Sequence, residues 1–310
     1  MSIPPGALEV HKIAIIGVPS SAGARHTGQE RAPASFRQKR FVERLQSSQR
    51  EVIDLGDLPV VSFRPDPQNP RCQNLNRVRD VSQRVADAVS RAVQARAKPI
   101  VLGGDCTITL GVLSGLLRHF PDLGLMYVDG DVDLNTPADT PSGIFDGMGM
   151  AHIIGDGADA LSRMGPRYPL MPQEDIVLFG YNADAGSIDA PELERLQHCS
   201  MARYAAQQIR GNVAQVSRAA LQHLEGRVAH ILVHFDVDVI DHADFPVADV
   251  PHPNGLTFSQ ALEALRVFVS SPRFAGLVIT EFNAERDAAG IYAERLVAAV
   301  TEALRVDAHD

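Results

Sequence analysis

The sequence has few cysteines, no long apolar run and fewer basic residues than acidic ones. Its three cysteines, Cys72, Cys106 and Cys199, show no CxxC spacing and cannot all pair, so we expect neither a disulfide framework nor a structural zinc site. No apolar stretch reaches the roughly 18–20 residues that span a bilayer, and the mean hydropathy is −0.06. These absences argue against a membrane protein and against a disulfide-stapled domain.

The charge balance is acidic, with 29 Lys and Arg residues against 38 Asp and Glu residues and a net charge of −9. This balance disfavours nucleic acid and anionic membranes as partners, and it suits a cationic small molecule. The segment Met1–Gly6 has no basic stretch followed by an apolar one, so we expect no signal peptide and a cytoplasmic location.

Short apolar runs alternate with amphipathic segments along the chain. Predicted strands are Lys12–Val18, Glu51–Leu55, Pro99–Leu102, Leu123–Val128, Asp175–Phe179, His230–Phe235 and Gly276–Glu281. Predicted helices are Ala32–Gln46, Val78–Arg96, Thr107–Arg118, Val213–Leu224, Thr257–Val269 and Tyr292–Leu304. No repeat or composition break divides the sequence. The pattern predicts a single α/β domain over residues 1–310, with a three-layer, mostly parallel sheet that has helices on both faces.

Three acidic clusters each follow a predicted strand: Gly103–Cys106, Asp129–Asp133 and Asp236–Asp238. The carboxyl ends of parallel strands form the edge of an open sheet where ligands bind. Carboxylates and a thiol that converge there would repel one another unless cations lay between them. The clusters therefore predict a pair of divalent metal ions and indicate a hydrolase.

Three other interpretations fit the acidic clusters less well. An EF-hand loop would need Gly and Glu where this chain has Leu134 and Thr140, so that reading fails. A phosphate-transferring DxDx site would use Asp236–Val239, but that motif normally stands alone at the first strand. Single acidic clusters also occur as helix caps and turns, an explanation that three clusters at three strand ends disfavour.

Five ordered segments carry a resemblance to a known family: Ile15–Gly23, Gly28–Arg37, Asp54–Pro59, Asn254–Phe258 and Thr280–Asn283. Together with the acidic clusters, they resemble the ureohydrolases, which include arginase, agmatinase and formimidoylglutamase. The resemblance covers nearly the whole chain. It implies an arginase-like fold and two divalent ions, most often Mn²⁺, that activate water for attack on a guanidinium carbon.

The resemblance also implies residue roles. Asp129 and Asp236 would bridge the two ions. The remaining metal ligands would be Cys106 and Asp133 at one ion, and Asp131 and Asp238 at the other. Glu281 would hold the guanidinium group, and the candidate catalytic residues are Asp133, Asp146 and Glu281.

The loop after the second cluster resembles the arginase branch of the family. There the residues matching Asn135, Thr140 and Ser142 bind the α-carboxylate of an amino acid substrate, and Asp184 is a weaker candidate for the α-amino group. Members of the family commonly form trimers or hexamers, so we expect a homo-oligomer that takes a small guanidino amino acid.

Three positions depart from the family pattern, because Cys106, Asp131 and Asp146 stand where arginases have histidine. The first two are metal ligands, and the third is the proton shuttle of the substrate loop. Five carboxylates and a thiolate carry two more negative charges than four carboxylates and two imidazoles. We therefore expect water at the ions to be less acidic, and the sulfur to weaken a strict preference for Mn²⁺.

Three functions remain open at this point. Cys106 resembles the cysteine of the arginase-like enzymes of D-cycloserine biosynthesis that convert Nω-hydroxy-L-arginine to L-ornithine and hydroxyurea, and we favour that reaction. Hydrolysis of L-arginine or of another arginine derivative is the first alternative, and a non-catalytic ligand-binding or partner-binding protein is the second.

Four histidines lie near the predicted site in sequence. His234 is predicted to be a core residue, and His152 to be structural although it could replace the missing proton shuttle. His242 and His252 are candidates for the pocket mouth.

Overall fold

The computed structural model describes residues 12–47 and 51–305, so Met1–Gly6 and both ends of the predicted domain lie outside the described residues. Eight strands of this part of the chain form one sheet, in which every strand pairing is parallel. They are β1 (Lys12–Gly17), β2 (Glu51–Asp57), β3 (Lys98–Leu102), β4 (Leu123–Val128), β5 (Ile176–Phe179), β6 (Ala202–Tyr204), β7 (His230–Asp236) and β8 (Phe274–Thr280). The spatial order is β2-β1-β3-β8-β7-β4-β5-β6. The sheet, which the sequence predicts to be mostly parallel, is wholly parallel.

Helices connect the strands of the described chain. They are α1 (Ala32–Gln38), α2 (Phe41–Gln46), α3 (Leu75–Gln94), α4 (Ile108–Leu117), α5 (Gly149–Ile154), α6 (Asp159–Ser162), α7 (Ala190–His198), α8 (Ala206–Ile209), α9 (Val213–Glu225), α10 (Phe258–Val269) and α11 (Ile291–Ala303). Short 3₁₀ turns lie at Gln29–Arg31, Asp146–Met148, Gln173–Asp175, Val237–Val239 and Ala284–Arg286. In residues 12–47 and 51–305, no helix combines the length and apolar composition that a bilayer crossing needs.

The helices cover both faces of the sheet. Within β1, Ile13 and Ile15 belong to one apolar core while Ala14 and Ile16 belong to the other, because alternate residues of a strand point to opposite faces. Helices α1, α2 and α8 to α11 close the first core, and α3 to α7 close the second. Two cores on opposite sides of one sheet are the three-layer α/β arrangement that the sequence predicts.

Some elements differ from the sequence-based prediction. The single helix predicted over Ala32–Gln46 is two helices, because Arg40 adopts a left-handed conformation (φ 62°) between them. Strand β6 and helix α7 were not predicted. All three residues of β6 are only half-buried, and α7 buries Leu196 alone. Short, weakly buried elements leave little hydrophobic periodicity to detect.

Candidate metal centre

Four neighbouring strands of the sheet end at one cavity. Strands β7 and β8 lie between β3 and β4, so the order at this edge is β3, β8, β7, β4. Their carboxyl ends bring together acidic clusters that are far apart in the sequence. The cavity has a volume of about 320 Å³ and is lined by all six predicted metal ligands: Cys106, Asp129, Asp131, Asp133, Asp236 and Asp238.

The loop after β3 presents the thiol of Cys106 to this cavity. Sγ of Cys106 donates to Oδ2 of Asp236 at 2.6 Å, and its backbone N–H donates to Oδ1 of Asp146 at 2.8 Å and Oε1 of Glu281 at 3.1 Å. A Cβ on Gly104 would lie 1.8 Å from the carbonyl oxygen of Ser20. The loop can therefore pass this point only with glycine, which explains the Gly-Gly before the acidic residue.

The segment after β4 turns its alternate aspartates inward. Oδ1 of Asp129 accepts from the backbone N–H of Asp131 at 2.6 Å, while its buried Oδ2 has no hydrogen-bond partner in the described chain. Asp133 has a positive φ of 52°, and its carboxylate accepts from the hydroxyl of Tyr127. A positive φ is unfavourable for a non-glycine residue and is often found at functional sites. Glu281 shares this feature, with φ 65°.

The third cluster, at the end of β7, is tied to the second. Oδ1 of Asp236 accepts from the backbone N–H of Asp238 at 2.8 Å, and Oδ1 of Asp238 accepts from the N–H of Gly130 at 2.9 Å. Both carboxylates are almost fully buried. Backbone N–H groups thus fix one oxygen each of Asp129, Asp236 and Asp238.

Burial dominates the electrostatics of the cavity floor. It raises the pKa values of Asp129, Asp133, Asp236 and Glu281 well above their ordinary range, and neighbouring carboxylates raise them further. Burial and the same carboxylates raise the pKa of the Cys106 thiol. Buried acids with such pKa values are stabilised either by protons or by cations. The donor atoms of Cys106, Asp129, His234 and Asp236 lie within 4.8 Å of one another, as do those of Asp131, Asp238 and His252. These carboxylate, thiol and imidazole donors fit two divalent ions.

The two histidines predicted at the pocket mouth, His242 and His252, do not line the cavity. His234 is fully buried, as predicted, but it also faces Cys106. His252 is 6% exposed and lies between Asp131 and Asp238 instead of at the pocket mouth. Burial alone would lower the pKa of His252, but the two carboxylates raise it to about 11. His152 is buried, its Nδ1 contacts the carbonyl of Met148, and it does not line the cavity.

The predicted carboxylate-binding residues Asn135, Thr140 and Ser142 line the outer part of the same cavity. Oγ1 of Thr140 accepts from the N–H of Gly143 at 3.0 Å, and Oγ of Ser142 accepts from the N–H of Ile144 at 3.2 Å. The two hydroxyls lie 3.5 Å apart and either can donate to the other, so at least one hydroxyl proton is left for a ligand. The cavity lining also includes the exposed Arg25, which sequence analysis missed. No local motif marks Arg25 in the sequence, and only the fold brings it to the cavity.

The acidic side chains in the outer part of the cavity also differ from the predicted one. Asp184 does not line the cavity, because its carboxylate accepts from Nε2 of Gln207 at 2.7 Å and Nδ2 of Asn254 at 2.9 Å. Asp189 and Glu192, at the start of α7, line it instead. Oδ1 of Asp189 accepts from the N–H of Glu192 at 3.0 Å and so caps the N-terminus of α7. Burial, with Asp189 and Asp131 nearby, raises the pKa of Glu192 to about 7.

Asp146 lies at the inner end of the substrate loop. Besides accepting from the N–H of Cys106, it is close enough to Glu281 for these two carboxyls and the thiol to lie within 4.8 Å of one another. Burial and the charge of Asp105 raise the pKa of Asp146 well above its ordinary range. This carboxyl therefore binds a proton more tightly than an exposed aspartate does.

Residues 11–305 match the model of the arginase family. Arginase from Bacillus caldovelox is 29% identical over 274 residues, which cover 87% of this chain and 90% of the relative. Mitochondrial arginase-2 from Homo sapiens is 30% identical over 284 residues, with coverage of 88% and 78%. The crystal structure of the Bacillus caldovelox arginase superposes with a TM-score of 0.88 at 28% identity, covering 94% of this chain and 98% of the other.

Proposed function

Because this chain belongs to the arginase family, we propose that it hydrolyses the guanidino group of an arginine-type amino acid, with Nω-hydroxy-L-arginine as the favoured substrate. The products would be L-ornithine and hydroxyurea. The chain is a hydrolase of guanidino carbon–nitrogen bonds, as its relatives are. The observation that carries the proposal is the charge pattern of one cavity, which has a buried acidic floor and Arg25, Thr140 and Ser142 in its lining.

The choice of substrate rests on the composition of the floor. Ions held by five carboxylates and a thiolate are weaker Lewis acids than ions whose ligand set includes fewer anions. An Nω-hydroxyguanidine is a weaker base than a guanidine, and its oxygen adds a possible ligand atom. These properties suit a more electron-rich metal pair, so we place Nω-hydroxy-L-arginine ahead of L-arginine.

The two ions would be held by Cys106 and the aspartates of the second and third clusters. The excess of carboxylates favours a hard cation such as Mn²⁺, and the sulfur softens one of the two sites. When bound, such ions lower the pKa of water and orient it toward the guanidino carbon. Glu281, which accepts from the side-chain amide of Gln29, would also accept from the guanidino N–H groups.

The remaining steps belong to the chain itself. Asp146 would give its proton to Nε of the substrate as the Cζ–Nε bond breaks, so that ornithine leaves as an amine. Arg25, Thr140 and Ser142 would bind the α-carboxylate, and the acidic wall formed by Asp189 and Glu192 would face the α-ammonium group. The substrate would thus be held at both ends.

A comparison of substrates tests the proposal. Purified, Mn²⁺-loaded protein is assayed with Nω-hydroxy-L-arginine, L-arginine and agmatine, and kcat/KM should decrease in that order. Activity on agmatine alone would remove the carboxylate-binding role of the outer cavity. Two bound ions per chain without turnover of any of the three would favour a ligand-binding protein.

We also propose a homo-oligomer, either a trimer or a hexamer, on the strength of the family resemblance. Light scattering coupled to size-exclusion chromatography measures the molar mass directly. A monomer at micromolar concentration would contradict this part of the proposal and leave the chemistry untouched.

A further inference from the structure

We propose that His234 and His252, which lie outside the acidic ligand set, each supply a nitrogen ligand to one of the two ions. This inference rests on the proposed metal-dependent function and extends it. It makes the centre a mixed site in which thiolate, carboxylate and imidazole meet, and it assigns the imidazoles to β7 and to the loop after β7.

His234 is placed and oriented by three contacts. It precedes Asp236 by two residues on β7, so both side chains project from the same face of the strand. Its ring stacks on Tyr127, with centroids 4.1 Å apart and planes 5° from parallel, and its Nδ1 lies 2.8 Å from Oγ1 of Thr109. When Thr109 accepts the Nδ1 proton, Nε2 retains the lone pair that a metal needs. A partner on the second ring nitrogen is typical of metal-binding histidines.

The second ring nitrogen of His234, Nε2, is as far from two other donor atoms as ligands of one metal ion are from each other. Nε2 lies 3.7 Å from Sγ of Cys106 and 3.5 Å from Oδ2 of Asp129. Donors that share one metal ion are about 3.0–3.7 Å apart for bond lengths of about 2.0–2.3 Å. The Oδ2 atom of Asp129 is buried and has no hydrogen-bond partner among the described residues. A shared ion would satisfy that oxygen, the thiolate and the imidazole together.

His252 has the corresponding position at the second ion. Its Nε2 lies 3.1 Å from Oδ2 of Asp131 and 3.5 Å from Oδ2 of Asp238, and its side chain is 7% exposed. This nitrogen is buried and forms no aligned hydrogen bond within residues 12–47 and 51–305. A buried polar atom without an aligned partner calls for an explanation. Binding of one cation by His252, Asp131 and Asp238 would provide it.

The contrasting arrangement keeps both imidazoles outside the coordination sphere. His252 would then be a cationic counter-charge for Asp131 and Asp238, and His234 would only hydrogen-bond to the thiolate. Loss of activity in a variant would be expected from either arrangement, so it does not separate them. A direct measurement of the atoms bound to the metal does.

X-ray absorption spectroscopy of the Co²⁺-loaded protein provides that measurement. The wild type should show a cobalt–sulfur distance from Cys106 together with the multiple scattering of imidazole. His234→Gln and His252→Gln should each remove part of the imidazole scattering, and the double variant should remove all of it. His230→Gln on the same strand and His242→Gln on the same loop are matched controls that should leave the spectrum unchanged.

Metal affinity gives a second readout. In competition with a chromophoric chelator, each variant should lose more than about 100-fold in affinity for one of the two ions, whereas loss of an outer-shell partner typically costs about 10–100-fold. Wild-type protein whose bound cobalt shows no imidazole scattering would overturn the inference, even if neither variant folds. Turnover of the guanidino substrate would still support the proposed function in that case, whereas imidazole-bound metal without turnover would refute the function and leave this inference standing.

Discussion

The floor and the outer wall of the cavity are built on opposite principles. The floor consists of strand ends, its acids are almost fully buried except for Asp131, and backbone N–H groups fix several of their oxygens. The wall consists of the substrate loop and the start of α7, where most side chains other than Thr140 are half-buried or exposed. We infer from this difference that the rigid floor compensates the charge of metal ions and activates water, whereas the more solvent-exposed wall recognises the substrate. Perturbing each part should therefore change different properties.

Removal of metal from the floor should have the largest effect. Chelation should abolish turnover and make stability strongly dependent on pH. The pKa values of Asp129, Asp133 and Asp236 are raised in the folded protein, so the metal-free fold binds protons more tightly than the unfolded chain. The contribution of these three acids to the free energy of unfolding is therefore complete at pH values below the unfolded pKa of about 4, and it is lost as the pH rises through the folded pKa values.

Thermal denaturation from pH 4 to pH 9, with and without Mn²⁺, measures this contrast. The metal-loaded protein should have a flatter profile over the same range, because cations replace the protons. Equal melting temperatures in both states at high pH would show that the floor does not need cations.

Substitution of the proton donor should have the next largest effect. Asp146→Asn keeps an oxygen that can accept from the N–H of Cys106, so the loop and the bound metal should be retained. The amide cannot donate a proton as an acid does, and kcat should decrease by about 100-fold or more. Steady-state kinetics together with metal analysis checks both halves of this prediction. The exposed Asp156→Asn is the control, and an unchanged kcat for Asp146→Asn would assign the proton to water.

The outer cavity can be tested through Arg25. Arg25→Gln should raise KM for the two amino acid substrates by about 10-fold, roughly 1.4 kcal/mol of binding free energy. Any residual activity on agmatine, which lacks the carboxylate, should be unaffected. Arg31→Gln is the control, because Arg31 forms an exposed ion pair with Glu285 and does not line the cavity. An equal change on all three substrates would show that Arg25 does not recognise the carboxylate.

The same contrast explains how much could be predicted from the sequence. Each acidic cluster follows a buried strand, and a parallel sheet brings strand ends to one edge, so local patterns were enough to group Cys106, Asp129 and Asp236. The strand order was not accessible, because it depends on crossovers that place β7 and β8 between β3 and β4. His252 is sixteen residues beyond Asp236 in the sequence, and only the folded loop returns it to Asp131. Glu192 was missed because α7 has a single buried residue.

The effect expected at Glu192 is confined to stability and tests whether the side chains at the start of α7 contribute charge of their own. Its pKa is about 7 in the folded protein against 4.5 for the ordinary group, so folding favours the protonated form. The stability that this proton contributes is complete below pH 4.5 and is lost as the pH rises toward 7. Glu192→Gln removes this loss while its side-chain oxygen can still accept from the N–H of Leu134. Relative to the wild type, the metal-free variant should gain at most about 3 kcal/mol of unfolding free energy between pH 4.5 and 7 and nothing further above pH 7.

Urea denaturation of both chelated proteins at several pH values measures the difference, and Glu194→Gln, on the exposed side of α7, should match the wild type. If the free energies of unfolding of the wild type and Glu192→Gln changed in parallel with pH, solvent would already stabilise the charged carboxylate of Glu192.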